Sequence, residues 1–571
     1  MSTETADQQS SLGRNRIVIV GGVAGGASAA ARARRCDSNA EITILEKGPA
    51  ASFANCGLPY HIGGEIAERE KLIVASADLF WERFRIRVRT GHEVIAIDRD
   101  AQTVTGRKVE DGEEFKLPYD RLILSTGSTP VRPGFQSVES ENVFSLWTLD
   151  DMDSILQSMK RRPSGKAVVI GAGFVGLEIA EQLVEIGMRV AIVQKSPQVL
   201  NPLDAEMAKL VERELSEKGV ELYLYDEVQE LLIANNRCTA VKLKEESIAT
   251  ELVIVAAGVR PRTELAVDSG LPIGETGGVL VNEYCQTEDP RVYAVGDMVE
   301  YKHQILDRTM RVPLAGPANK AGRIAGAHAA GGPCKPMPPV LGTSIVRVFE
   351  VAAGMTGLNA RQCDLEGMDH RVATIQAAHH ASYFPGARGL TLKIVYTPTG
   401  KLLGAQAVGP DGIDKRIDVL ATLISQGGSV DDLADLDLAY APPFGSAKDP
   451  VHMAAFAAQN DLEKFPELIG SNADLSAFQV VDVRAAKEFK KLPPVKNAVC
   501  IPVDELHERY GELDPDRETV TICHSGKRAH VAACLLRGLG FKRVCNLNGG
   551  MSIRSLLTAT PSTTTTANAT G

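Results

Sequence analysis

Residues 166–178 read Lys-Ala-Val-Val-Ile-Gly-Ala-Gly-Phe-Val-Gly-Leu-Glu, a strand-forming run followed by three glycines spaced G-x-G-x-x-G and a helix-forming run. No other feature restricts the fold as strongly. Gly171 permits the tight turn, Gly173 admits a pyrophosphate to the backbone, and Gly176 lets the helix, with Glu178 in its first turns, pack close to the strand. The helix N-terminus then faces phosphate. The segment predicts a parallel, helix-covered sheet that binds a dinucleotide. At the end of the next apolar run, Val190 to Val193, stand Gln194 and Lys195, where NAD-specific sites place an acid for the ribose hydroxyls. Without that acid the site takes NADP as well as NAD; the alternative is a solvated surface pair.

A second strand–glycine–helix segment opens the chain. The run Arg16 to Val20 leads into Gly21-Gly22-Val23-Ala24-Gly25-Gly26, with Val23 where the second glycine belongs. Glu46, followed by Lys47, ends the run Ile42 to Leu45 and is an acid at the ribose position. Two dinucleotide sites in one chain, with a thiol soon after the first, imply a flavin that takes electrons from a nicotinamide. That thiol is Cys56, in Ser52-Phe-Ala-Asn-Cys-Gly-Leu-Pro-Tyr60, at the start of an expected helix whose dipole favours thiolate. A small buried cysteine is the competing reading. With no second cysteine four or five residues away, its redox partner is a sulfenate, a persulfide or a mixed disulfide with substrate.

A third unit begins at Phe478-Gln-Val-Val-Asp482. Further on, the strand-like Thr519 to Ile522 runs into Cys523-His-Ser-Gly-Lys-Arg528 and a helical run from Ala529 to Leu536. Backbone N–H groups of such a loop aim at the sulfur, and Lys527 and Arg528 add charge, an arrangement suited to an anionic persulfide. A low-molecular-weight phosphatase loop is the rival; the Asp482-Val-Arg484 strand and the ending Asn548-Gly549-Gly550 favour a rhodanese loop.

The chain is too long, at 571 residues, for one core. Sixty-two basic against 72 acidic side chains, net −10, exclude a general nucleic-acid binder, and no apolar run is long enough to span a membrane. The polar N-terminus lacks an apolar signal region, so ten cysteines scattered without pairing spacings read as reduced thiols in a cytoplasmic protein.

Six segments occur in order: Gly21 to Gly26, Ser52 to Tyr60, Leu124 to Gly127, Gly171 to Glu178, Val292 to Asp297 and Tyr440 to Lys448. Together they resemble the single-cysteine branch of the pyridine nucleotide–disulfide oxidoreductases. The chain is most similar to the coenzyme A disulfide reductases, and within them to the rhodanese-fused, NAD(P)H-dependent polysulfide or CoA-persulfide reductases. The resemblance implies an α/β chain with two Rossmann-like dinucleotide-binding domains, an α+β dimerisation domain and a C-terminal rhodanese α/β domain. The expected boundaries are a lead-in at 1–14, FAD-binding segments at 15–149 and 271–335, and an NAD(P)-binding domain at 150–270. Dimerisation follows at 336–460, a linker at 461–470, rhodanese at 471–557 and a disordered tail at 558–571.

The resemblance further implies FAD, NADH or NADPH, and coenzyme A as substrate or carrier, in a homodimer. Thr126, Gly127, Gly296 and Asp297 line the flavin, and Gly258 borders the nicotinamide. Ser28, Arg32, Arg35, Ser52, Asn55, Asn319, Arg323 and Lys448 match coenzyme A contacts. A lysine of the family's set aligns with Phe84, leaving Arg83 or Arg85 as replacements. Tyr440, from the partner subunit, approaches Cys56, with Tyr383 as a second tyrosine. The clustered Arg32, Arg34 and Arg35 read, by themselves, as a solvated helix face, and only the resemblance favours coenzyme A. The expected reaction is reduction of sulfur–sulfur bonds through Cys56, with Cys523 and Arg528 handling sulfane sulfur. An NADH oxidase or peroxidase cycling a sulfenate, and a redox-sensing flavoprotein, are the alternatives.

Overall fold

The computed structural model describes residues 15–134, 140–160 and 165–558. The lead-in expected at 1–14 lies outside the described residues, as does the expected tail except Thr558, which closes the helix Gly550–Thr558. The chain divides into two compact units, one of residues up to 171 with 185–188 and 228–342, the other of 172–184, 189–227 and 343 onward.

The first unit holds a five-stranded parallel sheet in the order Val292–Ala294, Arg121–Leu124, Arg16–Val20, Glu41–Leu45, Arg87–Arg89. Ile17, Ile19, Ile44, Leu122, Ile123 and Leu124 are wholly buried, as expected of strands covered on both faces. The helix Ala24–Cys36 covers this sheet and packs on the helix Ala315–Ala329 at unusually short range. A Cβ on Gly322 would lie 2.2 Å from the Gly25 carbonyl oxygen, and one on Gly326 2.2 Å from that of Ala29. The alanine- and glycine-rich composition of both helices is the condition for that approach. In the same unit Val143–Ser145, Leu252–Val255 and Lys166–Ile170 pair in parallel, the core of the second Rossmann-like sheet.

In the second unit Arg189–Gln194 pairs in parallel with Glu221–Leu224. A five-stranded antiparallel sheet follows in the order Ser344–Val348, Val351–Gly357, Leu402–Gly409, Gly389–Tyr396, Arg371–Ala378. The helix Ile413–Ser425 packs on it, with Ile417 filling the space left by Gly354. The last domain is a five-stranded parallel sheet, Glu467–Ile469, Val544–Leu547, Thr519–Ile522, Gln479–Asp482, Val499–Cys500, with an apolar cluster on each face. Its neighbour's edge strand Arg371–Ala378 does not end in unpaired backbone. The Asn548 side chain accepts from Thr374 N–H at 2.8 Å and donates to the Val372 carbonyl at 3.1 Å, as a strand residue would. Among the described residues no helix is long and apolar enough to cross a membrane.

Candidate functional site

In the first unit the chain leaves Arg16–Val20 through Gly21, whose φ of +98° and whose carbonyl neighbour Ser125, 2.2 Å from where a Cβ would stand, both require glycine. Val23 precedes the helix Ala24–Cys36, so the missing second glycine falls on the helix entry, and Gly22 and Gly25 supply the close approach instead. A Cβ on Gly22 would meet the Ala51 carbonyl at 2.1 Å, one on Gly25 would meet Val295 at 2.9 Å, and one on Gly26 the Gly21 carbonyl at 1.9 Å. Glu46 accepts from Gly22 N–H at 2.7 Å and Gly48 N–H at 2.8 Å, which fixes it beside the glycine turn with acceptor capacity to spare. Lys47 pairs with Glu93 at 2.7 Å.

Gly296 and Asp297 form a short helical turn after the strand Val292–Ala294. Asp297 accepts from the Ser128 hydroxyl at 2.8 Å, and burial pushes its carboxyl above the ordinary carboxylate range. A carboxylate so desolvated is stabilised by further hydroxyl donors. Thr126 donates to the Arg262 carbonyl at 2.6 Å, and a Cβ on Gly127 would meet nothing within 4 Å. The close glycines, the braced Glu46 and the hydroxyl-seeking Asp297 fit the two sugar portions and pyrophosphate of FAD. For the nicotinamide, Gly258 in this unit faces open space, and Gly171 sits under the Ala256 carbonyl. In the second unit Gly173 is exposed with nothing within 4 Å of a Cβ, Gly176 is buried, and Glu178 is half-buried on the helix Phe174–Glu185. Gln194 accepts from Ala172 N–H at 3.3 Å, while Lys195 points to solvent.

Cys56 is exposed in the turn Asn55–Gly57, immediately before the short helix Leu58–Ile62. Ser52 is buried at the start of this segment, and Asn55 donates to the Trp147 carbonyl at 3.3 Å. On the paired helices Ser28 donates to Asn319 at 2.6 Å, although 291 residues separate them, and Arg323 is exposed one turn beyond Asn319. Arg32 donates to the Pro333 carbonyl at 3.2 Å, and its buried Nε has no hydrogen-bond partner among the described residues. Arg35 lies over the Phe84 ring at 5.4 Å, so the aromatic in place of lysine carries a cation from the neighbouring helix. Arg85 similarly lies over Trp81. Arg34 is different in kind. Its guanidinium donates to the carbonyls of Asp37, Ser38, Ala40, Phe84 and Arg85, and burial lowers its pKa. It fastens the helix end, whereas Arg32 and Arg35 beside it meet one carbonyl and one ring.

In the second unit the exposed Tyr383 and Tyr440 hydroxyls are 3.1 Å apart. Their hydrogen bond is the main cause that raises the Tyr383 pKa. Ala381 N–H donates to the Gly445 carbonyl at 2.9 Å, and the wholly buried Arg416 holds Asp449 through two bonds, at 3.1 and 2.7 Å. The exposed Lys448 precedes Asp449.

Cys523 is buried at the end of the strand Thr519–Ile522, and Gly526 N–H donates to its Sγ at 3.2 Å. The helix Lys527–Gly538 begins at once. Arg528 is held from outside the loop. It makes two bonds of 2.7 Å to Glu488, whose carboxyl this pairing pulls down to about 2. Glu488 was not among the expected site residues; its place four residues after the Asp482-Val-Arg484 run was the available signal. Arg484 and Asp482 form a buried pair at 2.6 Å, with Arg484 also donating to Leu492 and Pro493 carbonyls, so these two brace the sheet end. All ten cysteines lie among the described residues and none forms a disulfide.

Comparison with known proteins agrees with this architecture. The pyridine nucleotide-disulphide oxidoreductase family profile matches residues 15–331, its dimerisation domain 343–450, and the rhodanese-like domain 462–552. The chain is 35% identical over 445 residues to a coenzyme A disulfide reductase of Staphylococcus aureus, a match spanning 78% of this chain and all of that protein. The structure of reduced CoADR-RHD from Bacillus anthracis superposes with a TM-score of 0.92 at 38% identity, over 95% of this chain and 98% of that one. A NAD-dependent persulfide reductase from A. fulgidus gives 0.89 at 36% identity, over 94% and 99%.

Proposed function

The chain belongs to the pyridine nucleotide-disulphide oxidoreductase family, with a rhodanese-like domain at its C-terminus, and from that premise we propose that it reduces sulfur–sulfur bonds in coenzyme A persulfide, polysulfide or disulfide at the expense of NAD(P)H. The observation that carries this reading is one exposed cysteine, Cys56, in the segment that follows Ala51, whose carbonyl abuts Gly22 of the FAD-compatible turn, together with a second, cradled cysteine, Cys523, in the same chain.

The Cys56 thiolate attacks one sulfur of the substrate bond. A Cys56–sulfur bond forms, the substrate sulfur–sulfur bond breaks, and the departing thiolate or hydrosulfide takes a proton from solvent or from a tyrosine hydroxyl. Gly21, Gly26, Glu46, Thr126, Gly127 and Asp297 would hold FAD, which would supply the two nicotinamide-derived electrons that break the Cys56–sulfur bond, releasing the bound sulfur as a thiolate and returning Cys56 to thiolate. Tyr440 and Tyr383, in a homodimer built on the 343–450 domain, serve as the proton donors. Arg32, Arg35, Arg323 and Lys448 hold phosphates, and Ser28, Ser52, Asn55 and Asn319 supply neutral polar contacts to the carrier. Cys523 takes sulfane sulfur as a persulfide, stabilised by the loop's N–H groups. The setting is reducing and cytoplasmic, where thiol chemistry of this kind operates.

The deciding experiment measures NAD(P)H oxidation and sulfide release with coenzyme A disulfide, coenzyme A persulfide and inorganic polysulfide in turn. Turnover with oxygen or peroxide alone, and none with these acceptors, refutes the proposal in favour of an oxidase.

A further inference from the structure

The Cys523 loop is held from behind by residues far along the chain. Met551 N–H donates to the Cys523 carbonyl at 2.8 Å, and Ser552 N–H to the His524 carbonyl at 3.0 Å. The Ser552 hydroxyl donates to the same His524 carbonyl at 2.8 Å. In a planar trans peptide the N–H points opposite the carbonyl. Turning the carbonyls of 523 and 524 toward 551–552 therefore turns the N–H groups of His524 and Ser525 to the other side of the loop. Ser552 has a competing acceptor, the Gly549 carbonyl at 3.3 Å. What settles the hydroxyl on His524 comes from the antiparallel domain: Gln376, on the edge strand Arg371–Ala378, donates from Nε2 to the Ser552 oxygen at 2.5 Å. A hydroxyl that accepts on one lone pair is oriented and polarised as a donor.

We propose that Gln376, a residue of the dimerisation domain, is a positioning residue for the Cys523 loop, acting through Ser552 to orient the peptides that cradle the sulfur. The inference rests on the reading of Cys523 as a persulfide carrier. It makes the antiparallel sheet part of the sulfurtransferase site, and gives the Asn548 amide pairing with residues 372 and 374 a purpose beyond covering an edge: it keeps Gln376 in register with Ser552.

The test is the pH profile of Cys523 alkylation by iodoacetamide in the full-length protein, followed on the Cys523 peptide by mass spectrometry, for wild type, Gln376→Met, Ser552→Ala and the double variant. Each single change is expected to move the midpoint up by about 0.7 pH unit, the equivalent of roughly fivefold in thiolate stability, and the double variant no further. Arg371→Met serves as control. It removes ion pairs of the same strand with Asp461 and Glu467 but nothing at the loop, and should lower the melting temperature while leaving the midpoint alone. An unmoved midpoint in both single variants, or an equal shift in Arg371→Met, overturns the inference. Thiosulfate sulfurtransfer measured alongside reports on Cys523 itself: its absence in wild type refutes the persulfide reading, while the alkylation profile still decides the role of Gln376.

Discussion

Replacing Glu488 by glutamine probes how the sulfurtransferase loop is braced. Arg528 reaches Glu488 through two bonds of 2.7 Å, and this pairing holds the Glu488 carboxyl at about 2 against an ordinary 4.5. A carboxylate lowered on folding contributes stability that is complete above the ordinary value and is lost as pH falls from 4.5 toward 2. At about 1.4 kcal/mol per pH unit that interval sets a ceiling near ~3 kcal/mol. The Arg528 side chain is 39% exposed and that of Glu488 27%, so water screens the pair, and about 1–2 kcal/mol is the expected contribution. Hydrogen exchange in the strands Gln479–Asp482 and Thr519–Ile522 reads this directly. Glu488→Gln should exchange roughly 5–30 times faster than wild type at pH 7 and at pH 5, with the difference shrinking at pH 3.5, below the ordinary 4.5, where the unfolded chain's carboxyl takes a proton while the folded one keeps its charge. Equal exchange at pH 7, or a difference that widens in acid, refutes the brace.

Cys56→Ser should abolish turnover with coenzyme A disulfide and persulfide by at least ~100-fold while stopped-flow bleaching of the flavin by NAD(P)H continues, since a serine hydroxyl is a far weaker nucleophile at neutral pH; loss of bleaching would give Cys56 a structural role instead. Cys523→Ser should remove thiosulfate and polysulfide sulfurtransfer yet spare coenzyme A disulfide reduction, assayed as NAD(P)H oxidation; unchanged polysulfide-dependent oxidation would mean that the C-terminal domain works on a substrate of its own. Gly322→Ala places a methyl 2.2 Å from the Gly25 carbonyl and should cost about 1–3 kcal/mol through overpacking, seen as a lower melting temperature and a reduced flavin-to-protein absorbance ratio.

The fold class was legible because its signals are local. The strands Arg16–Val20 and Lys166–Ile170 are runs of β-branched residues stopped by glycines that no other residue can replace, and Thr519–Ile522 leads straight into the Cys523 loop. The departure from the glycine pattern at Val23 falls on the residue at the helix entry, with Gly22 and Gly25 supplying the closeness. Helix ends were less legible. The helix after Cys523 spans Lys527–Gly538, two residues longer at each end than its apolar run, because polar residues complete both terminal turns.

Side-chain partnership was another matter. From sequence, Arg32, Arg34 and Arg35 are one cluster; the tertiary structure gives Arg34 five backbone carbonyls and sets Arg35 on Phe84. Ser28 meets Asn319 because glycines on two helices allow their axes to approach, a condition that neither helix states alone. Arg528, read as a charge for the Cys523 sulfur, is bound to Glu488, 40 residues away, and Gln376, unremarkable in its strand, reaches Ser552. Backbone turns and strand periodicity are decided within a few residues by sterics and hydrogen bonding, so the chain itself determined where the glycine turns and the Cys56 and Cys523 loops fall. Which cation meets a carbonyl, a ring or a carboxylate depends on packing between segments hundreds of residues apart, and only the folded chain brings those surfaces together.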